Sequence, residues 1–135
     1  MGYESKLYFV RPYAWETQAE TVAVLDIAKM GSSPEVVKFR KLFDTETPFS
    51  IRVLGVDENG EHECMVDVNA DCYGDKLKYG DKAKLLRQAN KVIKEEEKHC
   101  EELGGCVPYS RFYVMRDMIK AFKNMDDVYI VHYGY

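Results

Sequence analysis

The sequence predicts a single α+β domain, in which a mostly antiparallel sheet of about five strands carries three helices. β-favouring segments stand near both ends of the chain, at residues 3–11 and 128–133. An Asn59-Gly60 pair joins two apolar arms, as in a two-residue hairpin turn, and predicts a central β-hairpin in the sheet. Helix-start residues precede three apolar-periodic stretches. The predicted order of elements is therefore ββαββααβ.

Composition is typical of one soluble globular domain covering residues 1–135. The chain is long enough to bury a core without disulfides, and no apolar run approaches the ~20 residues of a membrane span. The start of the chain lacks the basic-then-apolar order of a signal peptide, which predicts a cytoplasmic protein with no membrane partner. The formal net charge of −4 argues against direct binding to nucleic acid, which needs a surplus of Lys and Arg.

The first two predicted strands lie in the first 29 residues. Residues 3–11 are rich in aromatic and β-branched side chains, and Pro12 prevents the strand from continuing as an inner ladder. Residues 20–29 are apolar on both faces apart from Asp26, which predicts a strand near the sheet centre that is covered on both sides.

The three predicted helices follow capping signals. Pro34 after a serine favours a helix that reaches about residue 43. Asp81 caps a long helix that reaches residue 103, and a further helix spans 109–124. The last strand, 128–133, is expected to pair with the first. That pairing would gather a tyrosine-rich seam, which offers a homodimer contact, from Tyr3, Tyr8, Tyr129, Tyr133 and Tyr135.

The hairpin at residues 49–69 has a register that the sequence predicts. With Asn59 and Gly60 as the central residues of a type I′ turn, Val53 lies opposite Val66. Alternation then divides the side chains between two faces. The predicted core face consists of Ile51, Val53, Cys64, Val66 and Val68. The other face is mixed and carries the cross-strand pairs Arg52–Asp67 and Leu54–Met65.

The hairpin and the loop after it form the most acidic part of the chain. Residues 57–75 contain seven carboxylates and no Lys or Arg. Such a surface, with exposed apolar side chains beside it, suits binding to a basic surface of a host protein, for example a nucleic-acid-binding effector. The predicted partner-binding residues are Glu58, Glu61, Glu63, Met65, Asp67, Asp71 and Asp75.

Two alternative functions remain open from the sequence. One is a small-ligand or nucleotide-binding protein with a pocket between the sheet and the helical hairpin, lined by Tyr109, Arg111, Tyr113 and Arg116. The other is a metal-dependent nuclease, which would require Asp26 to lie near Asp67 or Asp71.

No motif predicts a cofactor or an enzyme. The histidines and cysteines lack zinc-site spacing, and the segment Asp67-x-Asn69-x-Asp71 has Cys72 where a calcium loop requires glycine. There is no Walker loop, no GxGxxG and no GxSxG. We therefore expect no catalytic residues, no metal and no cofactor.

The two ends of the chain resemble those of small uncharacterised proteins from phages and prophages of Gram-positive bacteria. The segments that carry the resemblance are Gly2-Tyr3-Glu4-Ser5-Lys6-Leu7-Tyr8 and Val131-His132-Tyr133-Gly134-Tyr135. The resemblance implies a protein that acts in the cytoplasm of a bacterial host. It also implies an accessory factor that binds and inhibits a host protein, such as a CRISPR nuclease or another defence factor.

Overall fold

The computed structural model describes residues 4–14, 17–56 and 59–134 and confirms the α+β class. Within them, the strands are β1 Ser5–Pro12, β2 Gln18–Asp26, β3 Phe43–Glu46, β4 Ser50–Val56, β5 Glu63–Val68, β6 Lys78–Gly80 and β7 Tyr129–Gly134. The helices are α1 Pro34–Arg40, α2 Lys82–Glu102 and α3 Arg111–Phe122, and a short 3₁₀ turn spans Ala28–Met30.

The described strands form one mixed sheet in the order β3-β6-β7-β1-β2-β4-β5. All neighbours are antiparallel except β2 and β4, so the prediction of about five mostly antiparallel strands was only partly right. The predicted pairing of the first and last strands is confirmed, and it places β1 at the centre. The strands β3 and β6 were missed because three or four residues are too few to show a period-two pattern.

The hairpin β4–β5 lies at the edge of the sheet, so its predicted central place in the sheet was wrong. Among the described residues, its only strand pairing with the rest of the sheet is a short parallel one, in which Gln18 pairs with Ser50 and Ala19 with Ile51. Beyond that contact β2 is left partly open, and Val22 and Val24 are 46% and 47% exposed. The prediction that β2 is covered on both sides was therefore also wrong.

The larger core fills the space between the sheet and the helices. Leu7 and Phe9 from β1 and Ile130 from β7 are fully buried on this side. They pack against the apolar stripes of the helices, including the fully buried Met115 and Ile119 of α3. The prediction that the helices cover one face of the sheet is confirmed.

A second core lies on the opposite face and explains how the hairpin is held. Tyr8 and Tyr133 meet edge to face, with ring centroids 5.7 Å apart. They belong to one buried cluster with Ile51 and Val53 of β4. The predicted tyrosine seam is thus largely core packing, since Tyr8 and Tyr133 are only 5% and 9% exposed. Tyr3 and Tyr135 lie outside the described residues, and a homodimer contact stays a prediction.

The long helix α2 begins at the predicted cap. The Asp81 carboxylate accepts a hydrogen bond from the backbone N–H of Lys84 at 2.9 Å, and this bond lowers the pKa of Asp81. The next residue, Lys82, donates from its ammonium group to backbone carbonyl oxygens just after α3, including that of Val128 at 3.0 Å. The start of α2 therefore also caps the far end of α3, which fixes the helical hairpin. Among the described residues, no helix has both the length and the apolar character needed to cross a membrane.

Replacing Asp81 with alanine is expected to lower the free energy of unfolding by about 1 kcal/mol, because an N–H at the start of α2 loses its acceptor. Urea denaturation followed by circular dichroism measures the loss. Asp81→Asn keeps an acceptor oxygen and should retain most of the stability. An equal loss in both variants would contradict a capping role and would point to the charge instead.

Candidate functional site: the outer face of the edge hairpin

The hairpin has the predicted register. Leu54 lies opposite Met65 and Val53 opposite Val66, with Arg52 facing Asp67. The predicted core face is confirmed: its two β4 residues are buried, and Cys64, Val66 and Val68 on β5 are partly buried.

The turn differs from the prediction. A type I′ turn needs positive φ at both central residues, whereas Gly60 has φ +70° and Asn59 does not have positive φ. β4 is described to Val56 and β5 begins at Glu63, and the pairing of Val56 with Glu63 keeps the predicted register. Glu58, one of the predicted partner-binding residues, lies outside the described residues.

The outer face of the hairpin consists of two columns of exposed side chains, which we call the hairpin outer face. The β4 column is Arg52, Leu54 and Val56, and the β5 column is Asp67, Met65 and Glu63. Leu54, Val56 and Met65 are 61%, 59% and 53% exposed. Three large apolar side chains therefore stand together in water, next to carboxylates.

Ion pairing leaves the two columns with different charge. Arg52 Nε lies 3.3 Å from Asp67 Oδ1, and Gln18 donates to the other carboxylate oxygen of Asp67 at 3.0 Å. Glu63 forms no ion pair with a described residue, and Glu61 beside it is exposed. The cation of this pair, Arg52, lies on the β4 column. The β5 column, at the edge of the sheet, is therefore acidic and apolar.

A groove of about 450 Å³ runs beside this face, where the hairpin leaves β2. It extends the exposed surface from the hairpin to the first strands. Its lining includes Tyr13, Gln18, Thr21, Arg52, Met65 and Asp67. Tyr13 is 39% exposed, which adds an aromatic ring to the accessible surface.

The structure separates the predicted acidic residues into two places. Glu61, Glu63, Met65 and Asp67 belong to the hairpin, whereas Asp71 and Asp75 lie in the following loop. Asp71 Oδ1 accepts hydrogen bonds from the backbone N–H groups of Tyr73 and Asp75, at 2.8 and 3.1 Å. Asp71 therefore shapes its own loop, and replacing it would disturb that loop as well as any partner contact.

Asp71 and Asp75 line a separate cavity of about 430 Å³, together with His132, Arg40 and Lys78. The Ser5 hydroxyl and His132 Nε2 are hydrogen-bonded at 2.7 Å, and the Phe43 ring lies 5.4 Å from the imidazole. Sequence reasoning missed this pair. The predicted pairing of the first and last strands was the signal that could have found it.

The Ser5–His132 pair is unsuited to nucleophilic catalysis. Ser5 is fully buried, so a substrate cannot reach its hydroxyl. The pKa of His132 is lowered to about 4, mainly by burial and in smaller part by the charge of Arg40, while the Asp71 carboxylate opposes the change. A histidine with this pKa is neutral and a weak base at pH 7. The pair instead joins the two terminal strands.

The residues predicted to line a ligand pocket are Tyr109, Arg111, Tyr113 and Arg116. The Tyr113 hydroxyl donates to Glu97 at 3.1 Å, and the Arg116 guanidinium lies 5.5 Å from the Tyr113 ring centre. Arg111 donates to the main chain at the end of β2 at 3.1 Å. These contacts tie α3 to α2 and to the sheet, and buried apolar side chains occupy the space between sheet and helices. A ligand role for the four residues stays a prediction.

Of the two carboxylate pairs that a metal-dependent nuclease would need, Asp26 and Asp67 do not lie together, and the pair of Asp26 with Asp71 stays a prediction. Gln18 binds Asp67 at the start of β2, whereas Asp26 is at its end. That strand length places Asp26 and Asp67 about 25 Å apart. In the described parts of the chain, no three or more His, Cys, Asp or Glu side chains come together to hold a metal ion.

Comparisons with protein-family models, with curated protein sequences and with solved structures found no match to this chain.

Proposed function

We propose that this chain is a non-enzymatic binding protein and that its hairpin outer face engages a basic, partly apolar surface of another protein. The observation that carries the proposal is the cluster of exposed Leu54, Val56 and Met65 beside the carboxylates of Glu61 and Glu63. A partner that covers these large apolar side chains removes them from water, which favours binding by roughly 25 cal/mol per Å² of apolar surface buried.

The acidic groups and the apolar groups have different roles in this proposal. Carboxylates in water add little to affinity, because salt screens them and water already solvates them. They accelerate encounter with a positively charged surface and discriminate against acidic ones. The apolar cluster then supplies the affinity.

The resemblance of the chain ends adds a context to the proposal. A phage accessory protein can block a host defence nuclease by binding the basic channel that holds its nucleic acid. An acidic edge with an apolar centre has that character. The proposal therefore includes inhibition of a nucleic-acid-binding host effector by occupation of its basic surface.

Charge reversal on the hairpin tests the acidic part. Glu61→Lys combined with Glu63→Lys is expected to weaken partner binding at least about tenfold at low salt, because attraction becomes repulsion. Asp67 and Asp71 are left intact, since both make internal hydrogen bonds. The measurement is capture of partners by the tagged protein from a bacterial lysate, at low and high salt, quantified by mass spectrometry.

The matched control is Glu101→Lys with Glu102→Lys, which makes the same change in net charge at two exposed positions of α2. It should bind like the wild type. A second pair tests the apolar part: Leu54→Ser with Met65→Ser should lose the partner, and Leu103→Ser with Val107→Ser, at exposed sites elsewhere, should not. A partner that all four variants retain equally would overturn the proposed site.

A further inference from the structure

We infer that the partner binds by adding a β-strand to the open edge of β5, an inference that rests on the proposed function and specifies its mode. In the described part of the chain, Glu63–Val68 pairs on one side only, with β4. An edge strand directs every second N–H and C=O group away from its neighbour, and these groups are ready to pair with another strand.

Apart from two carboxylates, the edge lacks the usual devices that prevent strand addition. Glu63–Val68 contains no Pro, Lys or Arg, and its pairing with β4 runs through six consecutive residue pairs without a bulge. The strand is regular and half-exposed, with the side chain of Met65 at its centre. Its two carboxylates, Glu63 and Asp67, repel acidic strands and attract basic ones.

Charge argues against a second copy of this chain as the occupant. Antiparallel self-pairing centred on Met65 would set Glu63 of each copy directly opposite Asp67 of the other. Like charges in directly opposed positions destabilise a strand pair. The complementary occupant is a strand of another protein that carries Lys or Arg at these positions.

The outer column also defines the pattern of the incoming strand. A basic residue faces Asp67, an apolar residue faces Met65 and a basic residue faces Glu63, since side chains of paired strands meet on the same face. The intervening two residues point to the other face, beside Cys64 and Val66, where β-branched residues pack well. The strand therefore reads basic, β-branched, apolar, β-branched, basic.

A synthetic peptide tests this pattern directly: acetyl-Thr-Lys-Val-Leu-Val-Lys-Thr-amide, titrated into the isotopically labelled full chain and followed by NMR. We expect shift changes centred on Glu63–Val68, slower amide exchange at alternate residues of β5, and a Kd of about 1 mM or below. The peptide with Glu in place of both Lys should bind at least about tenfold more weakly. Unchanged spectra up to about 2 mM peptide would overturn the inference.

Backbone methylation separates strand pairing from contact through side chains. One derivative carries N-methyl groups at odd positions and the other at even positions, so only one of them loses the N–H groups that face β5. Strand addition predicts at least about tenfold weaker binding for one derivative and a much smaller change for the other. Equal binding by both derivatives would overturn strand addition.

The inference and the proposed function fail separately. If the Glu61→Lys, Glu63→Lys variant loses its partner but both methylated peptides bind equally, the face binds through side chains and only the mode is wrong. If that variant keeps its partner and the peptide causes no shift changes in β5, the proposed function of the hairpin and the strand-addition mode are both wrong. Sedimentation of the wild type as a dimer with protected β5 amides would assign the edge to a second copy and would overturn the heterologous partner.

Discussion

Acidification from pH 6.5 to pH 4 is expected to lower the free energy of unfolding by about 3 kcal/mol through His132 alone. Burial lowers the pKa of His132 to about 4 in the folded chain, with a smaller contribution from Arg40, whereas an unfolded histidine titrates near 6.5. Between these pH values the unfolded chain binds a proton that the folded chain does not. Stability therefore falls as the pH falls, and below pH 4 this contribution has been lost.

Urea denaturation at half-unit steps of pH measures the effect. His132→Gln places an uncharged polar group near Ser5 and should flatten the dependence between pH 6.5 and 4, even though it lowers stability at neutral pH. The slope is the decisive quantity, because any loss of packing against Phe43 changes stability equally across the range. An unchanged slope in His132→Gln would contradict the assignment.

Two carboxyl groups also have pKa values that differ from their ordinary ones. Hydrogen bonds lower the pKa of Glu35, mainly through Gln88, and that of Asp81, through the N–H of Lys84. A carboxyl with a lowered pKa contributes stability above its unfolded pKa and loses it as the pH falls through the folded value. Their effect therefore appears at a lower pH than most of the His132 effect.

The hairpin shows how far a local pattern determines structure. Alternation of apolar side chains on two arms around Asn59-Gly60 was enough to predict the pairing of Val53 with Val66 and the exposure of Leu54 and Met65. The turn type was wrong because Asn59 lacks positive φ. Register survives this error because the hydrophobic face, as well as the turn, specifies it.

The position of the hairpin in the sheet could not be predicted in the same way. It depends on two parallel residue pairs between β2 and β4, which are more than 30 residues apart in the chain. The short strands β3 and β6 likewise form through contact with each other and with β7. Such pairings are set by tertiary packing, and a local pattern contains little information about them.

Only the part of the candidate site that lies within one strand could be predicted from the sequence. Glu63, Met65 and Asp67 alternate along one strand, so the sequence alone places them on one face. Asp71 and Asp75 continue the acidic run, but β5 ends at residue 68 and the chain turns back through a bridge between Ala70 and Lys76. Nearness in sequence was therefore a poor guide to nearness in space beyond the strand end.

Gly134→Ala is expected to lower the free energy of unfolding by about 3 kcal/mol or more, because two separate costs combine at this position. Gly134 has φ +109°, a conformation that residues with a Cβ rarely adopt. A Cβ there would also lie 2.1 Å from the carbonyl oxygen of Glu4, which is main chain and has little freedom to move. Thermal and urea denaturation measure the loss.

Gly105→Ala separates the two costs. Gly105 has a similar positive φ of +90°, but a Cβ there would meet no atom within 4 Å, so its expected loss is about 1 kcal/mol from backbone strain alone. The difference between the two variants measures the close approach of β7 to the start of β1, where Ser5 pairs with Gly134. If Gly134→Ala costs no more than Gly105→Ala, the end of β7 separates from β1 at little cost. His132, two residues before Gly134, would then be held in its buried position only weakly, and the pH dependence argued above should shrink with the loss of burial.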